Sequence, residues 1–126
     1  MDKTYPLKDE TERIIAAAIE VHSTLGPGLL ESVYEQALAE EFRLRNVPFQ
    51  RQHPINLKYK GVEIGDHRVD FLVNGKIVVE LKAVSELNNI FFAQLMTYLK
   101  ALDLKVGLLM NFNVLKLRDG IKRIVV

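Results

Sequence analysis

The chain has 126 residues, 48% of them apolar and 26% charged, with a formal net charge of +1 and no cysteine. Such a length and balance describe one ordinary domain, residues 1–126, able to bury its own core without long disordered tracts. The missing cysteines exclude disulfides and thiolate metal sites and suit a reducing cytoplasm, the apolar run Ile14 to Ile19 is too short to span a membrane, and the small net charge by itself neither announces nor excludes a nucleic-acid partner.

From Asp9 to Thr24, Ile15, Ala18, Ile19 and His22 recur at helical spacing, with Asp9 or Thr11 available as N-cap and Glu10 and Glu12 near the positive end of the dipole. Gly26-Pro27-Gly28 stops this helix. A second helix runs from about Leu30 to Arg45, its stripe made of Leu30, Val33, Tyr34, Ala37, Leu38, Glu41 and Leu44, with Asn46 as terminator. Beyond Pro48 the period falls to two, and Ile55, Leu57 and Tyr59 mark a strand ending at Gly61. Further strands follow at Asp66–Val73 and Lys76–Ala83, joined through Asn74-Gly75, a strong hairpin signal. Leu87 to Leu102 returns to helical periodicity and should bury Phe91, Leu95, Met96, Leu99 and Leu102 against the sheet. Val106–Phe112 reads as a buried strand, and Leu115–Leu117 with Ile121–Val126 as a closing hairpin turning at Arg118-Asp119-Gly120. The expected order is ααβββαβββ, an α/β (α+β) domain.

Alternation places Val69, Phe71 and Val73, with Ile77, Val79 and Leu81, on one apolar face of the central hairpin. Asp70, Glu80 and Lys82 then fall on the other face, provided the joining loop holds an odd number of residues; Val73-Asn74-Gly75 supplies such a loop. A solvated face with a cross-strand ion pair is the plain alternative. It fits poorly, because Glu80 and Lys82 interrupt a strand apolar enough to be covered on both sides. Two carboxylates in a semi-buried cleft raise one another's pKa unless a cation intervenes, and all-oxygen ligands suit Mg2+ or Mn2+.

The spacing of Asp70, Glu80 and Lys82 resembles the D-x(n)-E-x-K signature of PD-(D/E)XK nucleases, without the preceding proline that names the superfamily. Val21-His22 with Leu25-Gly26-Pro27-Gly28, followed by Leu29-Leu30-Glu31-Ser32-Val33-Tyr34, resembles the defining segment of its GxxExxY family, and Gln94 with Tyr98 resembles a Q-x-x-x-Y element of its exonuclease-like branches. The resemblance implies a restriction-endonuclease-like core, a mixed β-sheet flanked by helices. It also implies a nuclease hydrolysing phosphodiester bonds of nucleic acid, DNA in preference to RNA. In it Asp70, Glu80, the Leu81 backbone carbonyl and Glu31 would hold Mg2+ or Mn2+, and Lys82 and Gln94 would join Asp70, Glu80 and Glu31 in catalysis. Tyr34, Tyr98, Arg68 and His22 are the candidate substrate contacts, although both tyrosines read equally as core aromatics and a hydrogen-bonded core histidine is the default reading of His22. So small a domain leaves room for a homodimer or partner protein, and for an alternative function as a catalytically weak or inactive binding or assembly module on the nuclease scaffold.

Overall fold

Five strands lie in chain order across one sheet: β1 (Phe49–Tyr59), β2 (Val62–Val73), β3 (Ile77–Lys82), β4 (Val106–Asn111) and β5 (Ile121–Val125). The computed structural model describes residues 6–126. Neighbouring strands are antiparallel except β3 and β4, which run parallel because helix α3 (Asn89–Leu102) carries the chain back between them. Helices α1 (Lys8–Leu25) and α2 (Glu31–Leu44) cover the opposite face, so β3 and β4 are buried on both sides. Ile77, Val79, Leu81, Val106, Leu108 and Met110 pack toward α1 and α2, whereas Val78 and Leu109 pack toward Leu95, Tyr98 and Leu99 of α3.

Several expectations are corrected by packing. Helix α1 begins at Lys8 behind Leu7 in a left-handed conformation, so Asp9 and Thr11 lie within the first turn instead of capping it, and the Thr11 hydroxyl donates back to the Lys8 carbonyl at 3.0 Å. The buried stripe of α2 is Tyr34, Leu38, Ala39 and Phe42; Leu30 and Leu44 are exposed. Phe42 sets that rotation, since its ring packs against Phe49 and edge-on to Phe71. Met96 of α3 is exposed, and Tyr98 takes the buried position. No strand forms at Leu115–Leu117. The open edge of β4 is already paired with β5, from Met110↔Ile121 to Val106↔Val125, and residues Leu117–Gly120 make a 3-10 turn. The order is therefore ααβββαββ.

The hairpin between β2 and β3 decides where the charged residues go. Val73 pairs with Ile77 across Asn74-Gly75-Lys76, an odd-length loop one residue later than the expected one, with Asn74 at φ 55 and Gly75 at φ 65. Asn74 tolerates that region and Gly75 adopts it freely. All six expected core residues are fully buried, but Val69 packs with the α3 side while Phe71 and Val73 pack with the α1–α2 side. Strand β2 therefore changes face at Asp70, where its regular pairing with β3 has ended at Phe71↔Val79.

Candidate active site

With the ladder interrupted, side chains take over its hydrogen bonds. The Asp70 backbone N–H donates to Glu80 Oε2 at 2.9 Å, and the Leu81 N–H donates to Asp70 Oδ2 at 2.8 Å. Each carboxylate thus satisfies a backbone donor of, or next to, the other acidic residue, which locks the two side by side between β2 and β3. Glu80 is only 7% exposed. Burial, reinforced by the neighbouring Asp70 charge, pushes its carboxyl up to about 9, with Lys82 opposing more weakly. Near neutral pH this pair holds a proton or requires a cation.

Lys82 leaves β3 half-buried on the side of α3, its Nζ 4.7 Å from the centre of the Phe91 ring. Glu31, at the first turn of α2, has a raised pKa caused first by loss of water and then by Asp70, with Lys82 pulling the other way and Glu35 adding to the rise. It therefore borders the acidic pair electrostatically. It does not complete a cluster, since no three acidic or histidine side chains among the described residues are gathered closely enough to hold a metal ion. Glu31 stands at the edge of the locked pair, on the exposed start of α2, while Tyr34 in the same turn is buried against Phe112.

A family model of the PD-(D/E)XK nuclease superfamily matches residues 8–124, from the start of α1 into β5. The chain belongs to the PD-(D/E)XK nuclease superfamily. No curated protein and no solved structure matches it. Members of this superfamily generally use divalent metals. The donor set of this chain fits one: two adjacent oxygen-ligand carboxylates, one forced toward neutrality by its surroundings, are relieved by a cation that both can share.

Around this superfamily core the remaining candidates divide. Tyr98 stands on α3 with its hydroxyl 3.3 Å from His67 Nδ1, and its phenol is raised by loss of water and by the charges of Glu80 and Asp70. Gln94 precedes Tyr98 by one helical turn, half-buried, and its amide makes no hydrogen bond among the described residues. Arg68 is exposed and donates to the Gln52 carbonyl at 3.0 Å. Tyr34 and His22 lie away from the acidic pair, each engaged by backbone groups. Tyr34 is fully buried, its hydroxyl donating to Gly26 O at 2.6 Å and accepting from Leu29 N at 3.1 Å, with its ring stacked on Phe112. His22 is buried, its Nε2 2.8 Å from Val114 O, beside a cleft of about 510 Å3 that none of the acidic residues lines.

Sequence reasoning missed a second polar layer behind Asp70. Gln52 Nε2 donates to Asp70 Oδ1 at 3.3 Å and to Glu35 Oε1 at 2.7 Å, and Arg51 pairs with Glu35 Oε2 at 2.8 Å. Glu35 carried a signal, lying one helical turn after Glu31 on the same face. Gln52 carried none. Beyond β3, the buried Asn111 fixes the departing chain, its side chain accepting from Val84 N at 3.1 Å and donating to Val84 O at 2.9 Å.

Proposed function

We propose that this chain is a metal-dependent nuclease hydrolysing phosphodiester bonds of nucleic acid, DNA in preference to RNA, with Mg2+ or Mn2+ as its cofactor. The observation that carries the reading is the reciprocal lock of Asp70 and Glu80, in which a buried carboxyl is held near neutrality beside a second carboxylate. The GxxExxY resemblance of Gly28–Tyr34 supports the same reading by bringing Glu31 to the border of that pair.

In this reading Asp70 and Glu80 hold the cation, assisted by the Leu81 carbonyl and with Glu31 extending the acidic edge. When bound, the cation would polarise the phosphate and lower the pKa of a coordinated water. Lys82 sets a fixed ammonium beside the carboxylates, where it offsets negative charge developing on the phosphate. Gln94 offers an uncommitted amide on the same side of the sheet, and Tyr98, its hydroxyl anchored by His67, walls the site and limits water. Arg68 reaches phosphate from the exposed part of β2. Tyr34 and His22 act only through the scaffold. The enzyme would work in the cytoplasm, with targeting supplied by a second copy or a partner protein.

Incubation of purified protein with linear, circular and single-stranded DNA plus Mg2+ or Mn2+ tests this, with cutting expected for wild type and lost in Glu80→Ala. Equal behaviour of the two proteins on all three substrates refutes it. A second reading, an inactive binding module on the nuclease scaffold, is favoured by one observation: Glu31 does not join the pair in a three-group cluster. Calorimetric titration with Mn2+ separates the readings, because a binding signal abolished by Asp70→Asn belongs to the enzyme.

A further inference from the structure

Gln52 has a backbone unlike that of its neighbours: at φ 50 it occupies the left-handed region in the interior of strand β1. A residue bearing a Cβ is strained there and persists only where its surroundings fix it. Pairing of β1 with β2 runs from Arg51↔Phe71 to His53↔Val69 and skips Gln52 and Asp70, so the two meet through side chains instead. The Gln52 amide reaches Asp70 Oδ1 at 3.3 Å and Glu35 Oε1 at 2.7 Å, while Arg68 fixes the Gln52 carbonyl from the neighbouring strand at 3.0 Å. Asp70 therefore has one donor on each oxygen, Leu81 N on Oδ2 and Gln52 Nε2 on Oδ1. Two donors from different strands leave the carboxylate a single orientation beside Glu80.

We infer that Gln52 is a positioning residue: its strained backbone delivers a side-chain amide that ties Asp70 to the Glu35–Arg51 pair and fixes the direction in which the Asp70 carboxylate meets a cation. The inference rests on the reading of Asp70 as a metal ligand. Two variants separate side chain from backbone, because glycine adopts φ 50 freely and alanine does not. Gln52→Gly should melt above Gln52→Ala, whereas both should bind Mn2+ about 10- to 100-fold more weakly than wild type in calorimetric titration. Wild-type affinity in both variants overturns the inference. So does wild-type affinity in Gln52→Gly alone, since the backbone would then be the cause. A metal-free measurement decides whether the tie itself exists, so its failure is distinguishable from failure of the metal-ligand reading, which shows as a wild type that binds no Mn2+. The side-chain amide resonances of Gln52 should move in Glu35→Gln and in Asp70→Asn, and resonances unmoved by both changes would show that no such tie exists.

Discussion

Replacing Glu80 by glutamine should flatten the way stability responds to pH in the metal-free protein. In the folded chain the Glu80 carboxyl is raised from 4.5 to about 9, chiefly by burial and then by the Asp70 charge. Between those values the folded state keeps a proton that the unfolded state has released. Stability is therefore fully present below pH 4.5 and declines as pH rises toward 9, with a slope of up to about 1.4 kcal/mol per pH unit for one proton. From pH 6 to pH 8 the wild type should lose roughly 2 kcal/mol. Glutamine has nearly the same shape, is neutral, and can still accept from the Asp70 N–H, so Glu80→Gln should show a much flatter profile and be the more stable protein at pH 8. Urea unfolding in chelator at pH 6, 7 and 8 measures both. A wild type flat across this range, or a variant with the same slope, refutes the claim that burial and Asp70 hold Glu80 protonated.

Adding Mg2+ or Mn2+ should raise the melting temperature of wild type above its value in chelator but leave Asp70→Asn unmoved, as read by thermal unfolding. Lys82→Ala should lower the rate of plasmid nicking about a hundredfold, with Mn2+ affinity retained or increased once the opposing charge is gone, as followed by gel kinetics and calorimetry. Gly120→Ala should destabilise the fold by about 2 kcal/mol in urea, because a Cβ there would stand 2.3 Å from the Asn111 carbonyl oxygen. Tyr34→Phe should cost about 1–3 kcal/mol by the same assay, as it strips the Gly26 carbonyl and the Leu29 N–H of their buried partner.

The acidic pair was legible because strand alternation and an odd hairpin loop are both local properties. Asn74-Gly75 announced the turn, and the register followed from Val73 meeting Ile77. Misplacing the loop by one residue left the parity intact. The surroundings of Tyr34 and His22 were not legible in the same way. Each meets a partner that only the folded chain brings near, and for His22 that partner is a carbonyl 92 residues away. Leu115–Leu117 looked like a strand because its alternation was right, but alternation does not say whether an edge remains to pair with, and β5 had taken it.

Glu31 and Gln52 mark where local reading stops. Helical spacing set Glu31 and Tyr34 on one face, yet how near Glu31 comes to Asp70 depends on the rotation of α2, which Phe42 fixes through its contacts with Phe49 and Phe71. Gln52 is harder still, since no residue pattern announces a left-handed glutamine inside a strand. That conformation removes Gln52 and Asp70 from the ladder, and the change of face in β2 at the same position removes Asp70 from its pairing with β3. Asp70 can turn its carboxylate toward Leu81 N because both neighbouring strands have released it there. The site is thus a consequence of two adjoining interruptions of strand pairing, and a change that restored regular pairing at Gln52 should weaken cation binding while strengthening the fold.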